Sequence, residues 1–260
     1  MASILDKYGI KEVADVMFYE IDDNGQPSTP VLYLDTLKVS TIEQTAEEAI
    51  AKGGKGNAPL ITWDYGKDIN VTLEDALFSA KSMAIMFGNG TVTSETSLKK
   101  TIAWRATSTA AISAGIPSEF EGPQGKTYTV PAAGSRVTYN ATGSSVAEDT
   151  AAVKGEVYYT TFDMGITGST IDISANSFPG TYYVTGDTYA RSEMTGADEF
   201  FQFIIPKAKV KSENTITLEA EGDPSVFNLS LHVLRPAGGG AMMKLVKYDI
   251  NKGEETEEKP

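Results

Sequence analysis

Cysteine is absent from the 260 residues, and histidine occurs once, at position 232. The first absence removes disulfides and thiolate metal sites. The second removes any histidine triad or multi-histidine metal centre built within one chain. Basic residues are few, 22 against 35 acidic ones, for a net charge of −13. Proteins that hold nucleic acid carry the opposite excess to neutralise phosphates, so the charge argues against a nucleic-acid-binding surface. Long apolar runs are missing too. No stretch approaches the roughly 18 apolar residues of a membrane-spanning helix. The stretch "MASILDKYGIKEVADVMF" has no basic region leading into an apolar core. No secretory leader and no membrane partner are therefore expected, and a soluble protein made in the cytoplasm is.

What is present is a hydrophobic fraction of 41%, enough for a substantial core, much of it arranged with a period of two. Ala208 and Val210 alternate with Lys207, Lys209 and Lys211. Ile216, Leu218 and Ala220 alternate with Thr215, Thr217 and Glu219, and Phe227, Leu229, Leu231 and Val233 with Asn228, Ser230 and His232. Such alternation predicts strands with one face buried. "DVMFYEI" and "PVLYLDTLKVS" predict two more, joined by the turn-rich "DDNGQPSTP". Between 41 and 60 the pattern fades into a charged, Ala-rich stretch ending in "KGGKGN", which reads as a long loop between strands.

Ile69, Val71 and Leu73 restore the alternation, and the period then lengthens. Ala76, Leu77, Met83, Ile85, Met86 and Phe87 predict an amphipathic helix ending at Gly88. Glu74 and Asp75 would sit at its positive end, and Leu77, Met83, Met86 and Phe87 would pack it on the sheet. Residues 115–150 are rich in Gly, Pro, Ser, Thr and Ala and predict an insertion with short strands. Residues 153–190 return to good strand formers, and the charged tail 251–260 is expected to be disordered. The residues predict a mainly β fold with one helix packed on the sheet and a long inter-strand loop.

Chemistry-bearing motifs are weak. Ser97 to Lys100 matches S-x-x-K, but the companion S-D-N and K-T-G motifs are missing. Gly53 to Asn57 lacks the Lys-Ser/Thr ending of a phosphate loop. Glu20, Asp22, Asn24 and Gly25 imitate the start of a calcium loop, but its twelfth position is Val31 and its flanks are strands, so a hairpin turn is the better reading. Trp63, Tyr65 and Trp104 could form a carbohydrate platform, although core or interface packing is the commoner use of such rings. No enzyme, metal site or cofactor is expected.

Two segments carry a likeness of their own: "WDYGKDINVTLEDALFSAKSMAIMFG" (63–88) and "GADEFFQFIIPKAKVKSENTITLEAEGDPSVFNLSLHVL" (196–234), with "SFPGTYYVTGDTYARS" (177–192) before the second. They resemble tail tube proteins of tailed bacteriophages, of the large-phage type. The resemblance implies one tube-like β domain over 1–250, a β-sandwich or barrel with one flanking helix, and a variable insertion at about 106–153. It implies hexameric rings whose sheets join into an inner barrel, stacked into a tube for DNA passage. Partners would be further copies of the chain, the tape measure, the baseplate and a sheath where one exists, with viral DNA passing unbound. The site would be the virion tail, assembled in the host bacterial cytoplasm. The 41–62 loop would be the ring-to-ring arm, with Glu43, Glu47, Glu48, Lys52, Lys55 and Asn57 as contact candidates. A decoration protein, an injection tube and a carbohydrate-binding β-sandwich are the rival readings.

Overall fold

A computed structural model describes residues 7–88, 90–96, 98–107, 109, 112, 119–121, 127–129, 136–164, 167–213, 215–216 and 226–248. The chain divides into two compact units, Met1–Val92 with Ile171–Pro260, and Thr93–Thr170. The first holds β1 (Tyr8–Ile10), β2 (Asp15–Ile21), β3 (Pro27–Leu34), β4 (Leu37–Gly53), β5 (Ala58–Asp75) and α1 (Ala80–Phe87). The second holds β6 (Thr93–Glu95), β7 (Lys99–Arg105), β8 (Glu119–Glu121), β9 (Thr127–Thr129), β10 (Arg136–Asn140), β11 (Ser145–Val146), β12 (Val157–Asp163) and β13 (Gly168–Thr170). The chain then returns to the first unit with β14 (Thr181–Ser192), β15 (Asp198–Val210), β16 (Phe227–Val233) and β17 (Lys244–Tyr248). Among the described residues the architecture is mainly β with one short helix.

The first unit is built on one antiparallel sheet in the order β3-β2-β14-β15-β16-β5-β4, with β1 added to β14 and β17 to β15. Alternation decides its faces. Val16 and Phe18 on β2, Tyr182 and Val184 on β14, Phe203 and Ile205 on β15, and Leu229 and Leu231 on β16 all point into a single core. Leu32 and Leu34 from one end of the strand order join Val71 and Leu73 from the other, so the sheet curls over its own apolar face in the manner of a sandwich. The β2–β3 hairpin is closed by Asp22, whose Oδ1 accepts from the Asn24 and Gln26 amides at 2.9 and 2.7 Å. Gly25 supplies the positive φ of +77° that this turn needs. The acid of the apparent calcium loop therefore caps a hairpin.

Helix α1 starts later than the sequence periodicity predicts. Ser79 is its N-cap: its hydroxyl accepts from the Ser82 amide, and the Ser82 hydroxyl accepts from the Ser79 amide, a reciprocal box. Glu74 and Asp75 instead end β5, paired with Asn228 and Phe227. The Asp75 carboxylate is buried and accepts from the Thr36 hydroxyl and the Leu77 amide. With its oxygen engaged in the strand exit, Asp75 has no part in the helix start. Leu77 precedes the helix with 64% of its surface exposed, so it does not pack α1 on the sheet. Met86 lies in the core, and Met83 and Phe87 lie half-buried against it.

The second unit has its own sheet, β11-β10-β12-β7, with two further strand pairs, β8–β9 and β6–β13. Its core gathers Ile102, Trp104, Ile112, Tyr158 and Phe162. Trp104 is 6% exposed, stacks on Tyr158 across the β7–β12 pair and donates its indole N–H to the Thr160 hydroxyl at 2.8 Å. It is a core residue with its polar handle satisfied. The unit runs from 93 to 170. Of the strand expected over 215–220, Thr215 and Ile216 are outside any strand, and 217–220 lie outside the described residues. Ser97 and the tail 251–260 also lie outside them.

Candidate functional site

The stretch expected as a loop over 41–60 is a β-ribbon. β4 and β5 pair from Leu37 opposite Asp75 out to Gly53 opposite Ala58, with bulges at Thr45/Glu47 and Ala51/Lys52. At about 3.3 Å per residue, the part of β5 from Ala58 to Asp68 has a contour of some 30–35 Å. Its tip explains the glycines of "KGGKGN". Gly54, Gly56 and Asn57 take φ of +77°, +89° and +51°, and the Asn57 amide donates to the Gly54 carbonyl at 3.2 Å. Only glycine, and asparagine at some cost, enters that region readily. The periodic signal was hidden because no residue between 41 and 67 is buried. On β4 between Glu43 and Gly53 no core imposes an alternation of hydropathy.

Residues directly opposite in the ladder share a face. Glu47 lies opposite Tyr65, Ala49 opposite Trp63 and Ala51 opposite Ile61, while Glu48 opposite Asp64 and Ile50 opposite Thr62 form the reverse face. Ile61, Trp63 and Tyr65 thus make an apolar row, each more than half exposed, lying beside two alanines. An isolated two-stranded ribbon is marginal in water, and exposed apolar patches are a common feature of interaction surfaces.

All six contact candidates fall on this ribbon, and all are exposed. Glu43 stands near its root opposite Asn70, Glu47 and Glu48 stand midway, Lys52 is opposite Pro59, and Lys55 and Asn57 occupy the tip. Sequence reasoning weighed the charged residues and missed Ile61, although its spacing with Trp63 and Tyr65 is the period of a strand face.

The side of the sheet turned away from the core is the second notable surface. Tyr183, Thr185, Asp187, Tyr189 and Arg191 project from β14, opposite Tyr19, Met17 and Asp15 of β2. Asp15 and Asp187 are direct cross-strand partners. Like charges so placed destabilise a sheet, so hydrogen bonds hold them. The Tyr33 hydroxyl donates to Asp15 at 3.3 Å and the Gln202 amide to Asp187 at 2.7 Å, with Tyr248 donating to Gln202 at 3.0 Å. The Asp15 charge holds the Tyr33 phenol above its ordinary pKa. Arg191 is engaged with Asp198 in a two-pronged pair at 2.7 Å, whose hydrogen bonds hold the Asp198 carboxyl below its ordinary range. His232 meets Asp68 with Nδ1 to Oδ1 at 3.3 Å. Among the described residues no group of three or more His, Cys, Asp or Glu could hold a metal, and no helix is long and apolar enough to cross a membrane.

A single-sheet core, a projecting ribbon and an acidic open face describe a building block more than a reaction centre. A family profile described as the YomU/Tube protein family matches residues 8–245. The chain belongs to this family. Its members are phage tail tube proteins, in agreement with the resemblance carried by the 63–88 and 196–234 segments. The match takes in the whole of the second unit and most of the first. No curated protein matches the chain.

Proposed function

We propose that this YomU/Tube family member is the repeating subunit of a phage tail tube, forming hexameric rings that stack around a lumen. The observation that carries the reading is the ribbon, whose 41–67 stretch buries nothing within its own subunit yet presents Ile61, Trp63 and Tyr65 to solvent. A second copy gives that row a place to be buried. The ribbon is the ring-to-ring arm, with Glu43, Glu47, Glu48, Lys52, Lys55 and Asn57 around the apolar row. The open sheet face with Asp15 and Asp187 is the lumen lining, where negative charge and hydroxyls let a polyanion slide without binding. Sheets of neighbouring subunits complete the barrel and cover their edges. The chain acts in the virion tail, beside tape-measure and baseplate proteins and a sheath where present, after assembly in the host cytoplasm. It carries no catalysis.

The test is electron microscopy of the concentrated protein beside a variant lacking the ribbon. Thr45 and Asp68 are ladder partners, so an Asn-Gly turn in place of residues 46–67 closes the hairpin with a favoured two-residue loop. The wild-type chain forms hollow tubes, and the variant remains a folded β-rich monomer. Tubes from the variant would show that the ribbon is not the arm.

A further inference from the structure

At the ribbon's own root lies a groove of about 360 Å³, lined by Ile10, Val13, Val39, Ile42, Phe201 and Phe203. The four aliphatic residues are exposed at its walls, and Phe203 is buried at its floor. A dry cavity of roughly 150 Å³ already holds benzene, so this groove has space for an indole or phenol ring. Its rim carries Lys11 and Lys38, with Glu12 as the one acid. A rim with an excess of cations is unusual on a chain of net charge −13.

We infer that this groove receives the Ile61, Trp63 and Tyr65 row of the ribbon from a second copy of the chain, an inference that rests on the tube reading above. Three features point to that occupant. The row and the groove are each apolar and exposed, with no covering element among the described residues of the unit. Glu47 shares the aromatic face of the ribbon, and its charge complements Lys11 and Lys38 at the groove rim. Val39 and Ile42 begin the strand that carries the ribbon, and the β4–β5 ladder continues from them to Gly53. A ribbon reaching its own groove would have to double back on that ladder. A knob at one place and a hole at another make a head-to-tail contact, which repeats as an open stack where its rotation does not close into a ring.

The test uses the absence of cysteine from the chain. Ala49→Cys sits on the aromatic face opposite Trp63 and leaves that ring in place. One preparation carries Ala49→Cys and another Val39→Cys, and they are mixed, assembled and oxidised. Ala51→Cys with Ile42→Cys gives a second pair. Sulfurs held together react at about millimolar effective concentration, against about ten micromolar for free chains, so the mixed disulfide, identified by peptide mass, exceeds a control pair of Ala49→Cys with Thr142→Cys roughly a hundredfold. Tubes in which neither pair exceeds the control overturn the groove assignment and leave the tube reading standing. A wild-type chain that does not polymerise at any concentration overturns both.

Discussion

At the scale of single residues, one glycine shows how closely the sheet is packed. Gly186 on β14 faces Phe203 across the ladder, and a Cβ added to it would lie 2.1 Å from the ring's Cζ. The ring occupies the space a side chain would need, inside a core where Phe203 is 3% exposed. Gly186→Ala therefore overpacks the core and destabilises it by about 1–3 kcal/mol. Phe203→Leu removes the ring, so the same alanine costs less in that background. Urea unfolding of the two single variants and the double variant measures the coupling. Equal costs in both backgrounds would mean that the ring is not what excludes the side chain.

Among the elements, those that meet a core were legible in the sequence and those that meet only solvent within the subunit were not. β2, β16 and the last third of β5 alternate in hydropathy because one of their faces is buried. The outer two-thirds of the ribbon has no buried face, so Glu47, Glu48 and Lys52 read as loop composition while lying in a ladder. The start of α1 was misread for a related reason. Asp75 looks like a helix-start acid, but its carboxylate bonds locally to Leu77 and across the chain to Thr36, a contact of long sequence separation. The same contrast sets an expectation for Trp63. Its ring touches no core, so Trp63→Ala changes the folding stability of the monomer by less than about 0.5 kcal/mol. As an interface anchor it is worth about 2 kcal/mol or more, so the critical concentration for assembly rises roughly thirtyfold. Thermal melts and pelleting assays separate the two effects. A large fall in melting temperature with unchanged assembly would make Trp63 a structural residue of the ribbon.

For the whole molecule, the question is whether the second unit is needed by the first. Their hydrophobic cores share no residue, since the first gathers Val16, Leu73, Val184 and Leu231 and the second Ile102, Trp104 and Phe162. The ends of the second unit are already adjacent, because Thr93 and Thr170 are Cα partners in the β6–β13 pair. Removing 93–170 thus leaves a gap that a short glycine-containing turn spans. Acidic and basic residues nearly balance between 93 and 170, so the excess that gives −13 resides in the rest of the chain, with the open acidic face and the ribbon. Every surface the tube reading uses lies in the first unit. The chain with 93–170 replaced by such a turn should unfold in one cooperative transition and still form tubes. Circular dichroism melts and electron microscopy check the two halves of that expectation. An excised chain that aggregates would show that the first core depends on the second unit. One that folds but stays monomeric would place a ring or stacking contact between 93 and 170.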